Sequence, residues 1–353
     1  MSLRFRRKKE HLLLALQGSR CSFLNYYDDI VLLHNCLTEV NPLEVDLSSE
    51  LCGYSTPAPL YINAITGGAL VSEHINRSLA EVAARLKLPM AVGSQRAALK
   101  KRSLRFTYQV ARRHNPQGLI LANLSAHTCV RQAREAVEML DAQILQLHLN
   151  PAQEFIMPEG DEIPPGLVDN IAAICAALPV PVLVKEVGFG MSSAQARTLF
   201  QAGVKAVDVS GVGGTNFALI EGRRNQSSWW KPFASWGLPT PLCVADVSRH
   251  VPELQVIASG GVDDGLKALK CLALGASNVA VAGGLLSALH RGGPRGAERH
   301  LRTLLRQIRV GAALLGVSKI SQIQSVPLLI AGDFARLLQG RGIDPISFAR
   351  RGC

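Results

Sequence analysis

The chain has 353 residues, 48% of them hydrophobic and 18% charged, with a formal net charge of +11 and eight cysteines. Those figures suit a globular chain with a sizeable core. They exclude a membrane span, since no run reaches the roughly 18 uninterrupted apolar residues that one needs. An aromatic content of 5% is low for a nucleic-acid stacking platform. No CxxC pair marks a disulfide or zinc scaffold, and most of the thiols are expected to be buried.

The N-terminus opens on a basic run, Arg4, Arg6, Arg7, Lys8 and Lys9. Leu12–Leu16 is too short for the apolar region of a secretory signal and no small-residue cleavage site follows, so the cytoplasm is the expected location. Eight short apolar runs then follow in order: 59–65, 88–93, 118–124, 143–149, 181–187, 204–210, 255–260 and 277–283. Amphipathic helical stretches separate them at 74–88, 130–140, 168–178, 193–203 and 265–276. Strand-then-helix repeated eight times predicts an α/β fold, a (β/α)8 TIM barrel. A doubly wound sheet is the alternative, but no GxGxxG opens a helix after the first strand. The longest gap, between the sixth and seventh strands, holds a segment read as irregular, 216–252. One domain is expected over 1–353, with a basic arm at about 1–20 and a C-terminal helical extension at about 297–353.

Polar residues recur at the same end of these strands, where barrel active sites lie. In LQLHLN, Leu145, Leu147 and Leu149 should face the helices, while Gln146, His148 and Asn150 face the barrel interior. The loop beyond delivers Gln153 and Glu154 to the same rim. Thr66 follows the first strand, Ser94, Gln95 and Arg96 the second, and Asn123 ends the third. Lys185 lies on the fifth strand, Asp208 and Ser210 on the sixth. Glycine clusters at 211–214, 260–261 and 283–284 expose backbone N–H groups beside helix starts, which predicts a phosphorylated cofactor. A cation such as Lys185 inside the ring must meet an anion or lose its charge, and reduced flavin is one such anion. Arg96 and the terminal RRKKEH suit a second, anionic ligand. Glu154, a carboxylate in a cationic setting, suits a Mg²⁺ ion shared with diphosphate oxygens or an ion pair with a basic neighbour.

RKKEH, ITGG (65–68), VGSQR (92–96), ANL (122–124), HLNPAQE (148–154), VKEVGFG (184–190), VSGVGGTNFA (209–218), WGLPT (236–240) and ASGGVDDG (258–265) run in order along nearly the whole chain. In this the chain resembles the type 2 isopentenyl diphosphate isomerases. HLNPAQE and VKEVGFG are specific, whereas the glycine loops are shared with other flavin barrels. The resemblance implies a homo-oligomeric enzyme, tetramer or octamer, that interconverts isopentenyl and dimethylallyl diphosphate. Reduced FMN and Mg²⁺ are implied cofactors, with NADPH as reductant, and neither nucleic acid nor membrane is an implied partner. It implies FMN contacts from Ile65, Thr66, Gly67, Ser94, Asn123, Lys185, Ser210 and Thr215, with Gly261, Asp263, Ala282 and Gly283 near the phosphate. Implied substrate contacts are Arg7, Lys8, His11, Ser94, Gln95, Arg96, His148, Asn150 and Gln153. Gln153, Lys185 and His148 take the catalytic roles and Glu154 the metal.

Two positions depart from the family pattern. Asp263 stands where many relatives have a basic residue, and Gly283 where they have Arg or a similar side chain, which shifts FMN phosphate binding towards backbone donors. Trp229 and Trp230 lie in an insertion-like stretch without an assigned place. A 2-hydroxy-acid oxidase would show His and Arg after the seventh strand, where this chain has Ser259, Gly260, Gly261, Val262 and Asp263. An inosine-phosphate-type dehydrogenase would need a cysteine in the loop after the sixth, and GVGGTNFA has none. A non-catalytic phosphate-binding barrel is the remaining rival.

Overall fold

A computed structural model describes residues 10, 11, 13, 14, 16, 26–160, 164–224 and 228–352; Arg7 and Lys8 lie outside the described residues. Strand β1 (Ile30–Leu32) comes first, then a hairpin of β2 (Ser49–Leu51) and β3 (Tyr54–Thr56). Eight parallel strands follow: β4 (Leu60–Ile62), β5 (Met90–Ala91), β6 (Ile120–Ser125), β7 (Ile144–Leu149), β8 (Val182–Glu186), β9 (Ala206–Asp208), β10 (Gln255–Ala258) and β11 (Asn278–Val281). β11 pairs back onto β4 and closes the barrel. Each strand falls inside one of the eight predicted runs, except that β6 extends one residue further, to Ser125. Parallel strands are covered on both faces, which is why they read as continuous apolar stretches.

Alternation along β7 sorts its side chains as expected. Leu145 and Leu147 join the large core between strands and helices, while Ile144 joins Tyr61, Leu121, Leu183 and Ile257 inside the barrel. Leu51 of the β2–β3 hairpin also packs into that inner cluster and closes the lower end. Gln255 Oε1 accepts from Cys52 N at 2.8 Å and Asn278 Nδ2 donates to Glu50 O at 2.7 Å, which pins the hairpin to the barrel.

The outer helices α1 (Leu70–Leu86), α4 (Val130–Leu140), α6 (Leu167–Ala177), α7 (Ser193–Gln201) and α10 (Gly265–Leu274) match the predicted stretches. Shorter α2 (Arg96–Lys100), α3 (Phe106–His114) and α5 (Pro151–Ile156) lie between them. The segment 216–252 is not irregular. It carries α8 (Phe217–Arg224) and α9 (Thr240–His250), the latter starting with Pro at its first turn. Buried Asp246 interrupts the apolar pattern of α9; it accepts from Ser193 N at 2.7 Å and pairs with Arg341. Trp230 packs against Gly222 and joins the small cluster of Ile156, Phe189 and Ala218.

Helix α11 runs Gly283–Leu314 through a non-helical Gly293, and Ala297 is buried within it. Pro294 there opens a renewed helix instead of ending one. Beyond it, β12 (Leu328–Ile330) pairs antiparallel with β1 and joins the C-terminal part to the start of the described chain. Of the six described cysteines only Cys243 and Cys271 are buried, against expectation. Cys129 serves instead as the N-cap of α4, where its side chain accepts a backbone N–H. Among the described residues no helix is long and apolar enough to cross a membrane.

Candidate active site

At the carboxyl ends of the barrel strands a cavity of about 820 Å³ opens. Ile65, Thr66, Gly67, Ser94 and Asn123 line it from the early strands, and Lys185, Ser210 and Thr215 from the later ones. Gly261, Asp263, Ala282 and Gly283 form its glycine-loop side. His11, Arg96, His148, Asn150, Gln153 and Glu154 complete the lining from the rim. The predicted residues therefore converge, with one exception among those described.

Gln95 does not reach the cavity. It is fully buried, Nε2 donates to Ala136 O at 2.9 Å, and Oε1 accepts from Asn123 N at 2.9 Å. As the residue before α2 it turns inward to tie β6 to α4, while Ser94 and Arg96 on either side face the cavity. Its task is to hold Asn123 in place.

Lys185 is 7% exposed; Nζ donates to Glu186 O at 2.6 Å and Ser210 Oγ at 2.9 Å and lies 3.4 Å from Asp208 Oδ2. Adjacent strand residues point to opposite faces, so the Glu186 carboxylate is turned away from this ammonium. It accepts instead from the backbone N–H groups of Gly188, Phe189 and Gly190 and fixes the loop after β8.

Gln153 Nε2 donates to Glu221 Oε1 at 2.9 Å, and Asn150 Nδ2 donates to Glu154 Oε1 at 2.8 Å. His11 Nε2 lies 2.8 Å from the same Glu221 oxygen, near enough for an ion pair though not aligned as a hydrogen bond. Arg224 bonds the other Glu221 oxygen. Burial pushes the Glu221 carboxyl up, but His11, Gln153 and Arg224 outweigh it and hold it below its usual range. Glu221 is the main residue that sequence reading missed. Phe217, Ile220, Glu221 and Arg224 do carry helical spacing, and that signal was available inside the stretch read as irregular.

The glycines of these loops are needed where the loops cross. A Cβ on Gly261 would lie 2.7 Å from the Gly213 carbonyl, so the loops after β9 and β10 pass backbone to backbone. Lys267 Nζ lies 2.6 Å from Asp263, so the acidic departure in this loop carries its own counter-ion. Among the described residues no cluster of three metal-ligating side chains occurs. Glu154 is a single carboxylate on the cavity lining.

Two pKa displacements have opposite sign. Burial first, then the charge of Lys185, with His127 and Arg96 contributing less, lowers His148 to about 4. Burial raises Glu186 to about 7 in spite of its three backbone donors. Each corresponds to about 3 kcal/mol. A depressed histidine contributes stability above its unfolded value of about 6.5 that is lost as pH falls towards 4. A raised glutamate contributes below about 4.5 and loses that contribution as pH rises through 7. Between pH 4.5 and 6.5 the two oppose. Denaturant melts at pH 5 and 6.5 should show stability rising with pH in Glu186→Gln and falling with pH in His148→Gln. Equal slopes in the two variants would count against these environments.

The FMN-dependent dehydrogenase family model matches residues 95–329. Isopentenyl-diphosphate delta-isomerase of Bacillus pumilus (strain SAFR-032) is 42% identical, covering 99% of this chain and 98% of its own. The protein of the same name from Symbiobacterium thermophilum is 43% identical, covering 99% of both. Among solved structures, a flavocytochrome b2 mutant with pyruvate bound aligns at TM-score 0.68 and 18% identity, covering 89% of this chain and 81% of that one. A mandelate oxidase aligns at TM-score 0.66 and 16% identity over 94% of this chain and 100% of that one. At such identities these structures share the fold alone.

Proposed function

Because the chain belongs to the FMN-dependent dehydrogenase family and to the isopentenyl-diphosphate delta-isomerases, we propose that it interconverts isopentenyl and dimethylallyl diphosphate with reduced FMN and Mg²⁺, NADPH serving as reductant. The observation that carries this reading is the arrangement of the cavity. A wall of strand-end polar groups and glycine loops, suited to a flavin and its phosphate, faces a rim of Arg96, His11, Asn150, Gln153 and Glu154. Allylic isomerisation adds a proton to the terminal alkene carbon and removes one from the carbon nearer the diphosphate. Reduced FMN, when bound, supplies proton exchange at its N5 edge.

The chain's own residues do the rest. Lys185, inside the ring, favours negative charge on a reduced flavin. Arg96 and His11, with Arg7 and Lys8 expected beside them, bind the diphosphate, whose binding energy is gained away from the reacting carbons. Gln153, held by Glu221, orients the alkene portion, and Phe217, Ile220 and Leu286 line the cavity with apolar surface that excludes water. Glu154, steadied by Asn150, would hold Mg²⁺, which would supply positive charge for the diphosphate.

The test is an assay by proton NMR on purified yellow protein. Isopentenyl diphosphate should convert to dimethylallyl diphosphate only after reduction of the flavin by NADPH or dithionite and only with Mg²⁺. A protein that does not retain FMN, or that stays inert when reduced, would overturn the reading. In Glu154→Gln the Mg²⁺ concentration giving half-maximal rate should rise about tenfold, the loss of a charged ligand being worth about 1.4 kcal/mol or more. An unchanged metal titration removes Glu154 from the metal site.

A further inference from the structure

Below the cavity floor, polar side chains from five barrel strands form a chain whose direction is dictated by chemistry. Asp208 is fully buried, and every partner it has there donates. Oδ2 takes Asn63 Nδ2 at 2.7 Å and the Tyr61 hydroxyl at 3.3 Å, with Lys185 Nζ at 3.4 Å. Oδ1 takes the Ser259 hydroxyl at 2.6 Å and Ser210 N at 3.2 Å.

A primary amide has one donor end and one acceptor end. Once Asn63 gives its NH₂ to the carboxylate, its oxygen must face the other way, where it accepts from Ala64 N at 2.8 Å and Gln146 Nε2 at 3.3 Å. Gln146 Nε2 also lies 3.2 Å from the Tyr61 hydroxyl, whose proton is already committed to Asp208. Both routes fix Gln146 the same way round. Its oxygen then accepts from Asn123 Nδ2 at 2.7 Å, and Asn123 is left with Oδ1 towards His148 Nδ1 at 3.1 Å. An amide oxygen only accepts, so the ring proton belongs on Nδ1.

We propose that Gln146, backed by Asp208, is a positioning residue that holds the proton of His148 on Nδ1, so that His148 presents Nε2 to the cavity as a hydrogen-bond acceptor. This directionality comes from beneath, and the Leu124 backbone carbonyl beside the ring is a further acceptor for its proton. The groups facing the ring are Arg96, Lys185 and His127, all of which disfavour a second proton on it. A bare nitrogen among cations repels a phosphate oxygen and attracts a donor. On the functional reading above, on which this last step rests, Nε2 would accept from a donor on the diphosphate side of the cavity.

Magic-angle-spinning ¹⁵N NMR of sedimented, [¹⁵N]histidine-labelled holoprotein tests this without substrate, the His148 signals being those lost in His148→Gln. At pH 7 the wild type should show a protonated Nδ1 and an unprotonated Nε2, the reverse of the form that dominates for free histidine. Gln146→Met, near in volume, removes the acceptor that orients Asn123, and a second population with the proton on Nε2 should emerge. Gln146→Leu repeats this should the methionine variant not fold. Gln146→Glu keeps an acceptor for Asn123 and should keep the wild-type pattern. A wild-type proton on Nε2, or a spectrum that neither apolar variant alters, overturns the proposal. Turnover is read separately, with kcat/KM of Gln146→Met expected to fall about tenfold at unchanged FMN content. A wild type without isomerase activity would sink the functional reading and leave the spectrum decisive for the tautomer.

Discussion

Gln153→Ala leaves the flavin bound and lowers turnover on the order of a hundredfold, the lower end of what a positioned proton-transfer or orienting group contributes. Gln153 is 9% exposed and held from two sides, by Asn150 Nδ2 on its oxygen at 3.2 Å and by Glu221 on its nitrogen at 2.9 Å. A side chain fixed that firmly while lining the cavity is oriented for a ligand, although its bond to Glu221 also ties α5 to α8. The glycine loops lie on other strands, so FMN content, read from the visible spectrum, should not change. Gln153→Glu sharpens the test. It sets a second carboxylate beside Glu221, and two such groups at hydrogen-bond distance do not both ionise near neutral pH. The glutamate variant should keep some activity at acid pH and lose it as pH rises, a profile that the alanine variant does not share. If alanine costs flavin or melting temperature instead of turnover, Gln153 is structural.

How much of this was legible in the chain divides along physical lines. Barrel strands announce themselves because both faces are buried, and their polar ends stand out against apolar interiors, which is how His148, Lys185 and Asn123 could be placed at one rim. Partners across the barrel were not legible. Lys185 and Asp208 are 23 residues apart and neither marks the other; their 3.4 Å approach exists only once β8 and β9 pair in register. Gln95 fails for the opposite reason: a motif places it between two cavity residues, but a side chain's direction at a helix start is set by what it can bond, and Ala136 O lies inward. Glu221 was hidden by a stretch whose glycines, prolines and tryptophans look like loop, although α8 and α9 run through it. The fold neighbours illustrate the limit from the other side. Mandelate oxidase and flavocytochrome b2 share the barrel at 16% and 18% identity. The end of β10 here carries Ser259, Gly260 and Gly261, and a shared barrel does not fix the chemistry at that rim.

Gly261→Ala should produce a folded, colourless protein. The residue has φ +83°, where an L side chain costs about 1–2 kcal/mol. Its Cβ would meet the carbonyl carbon and oxygen of Gly213 at 2.7 Å, and that neighbour is backbone which cannot swing aside. Relief requires the loop after β10 to lift off the loop after β9, so the N–H groups that the proposed function assigns to the FMN phosphate would no longer converge. Strain and lost donors together amount to about 3 kcal/mol, which lowers FMN affinity on the order of a hundredfold. The barrel beneath is spared, because the affected loops lie at its mouth and the inner cluster around Tyr61, Leu121 and Ile257 is untouched. Fluorescence titration of apoprotein with FMN measures the affinity, and a melt without flavin measures the fold. Gly292→Ala is the matched control: a Cβ there meets nothing within 4 Å, so it should bind FMN as the wild type does. Wild-type affinity in Gly261→Ala would mean that the FMN phosphate does not depend on the crossing of these two loops.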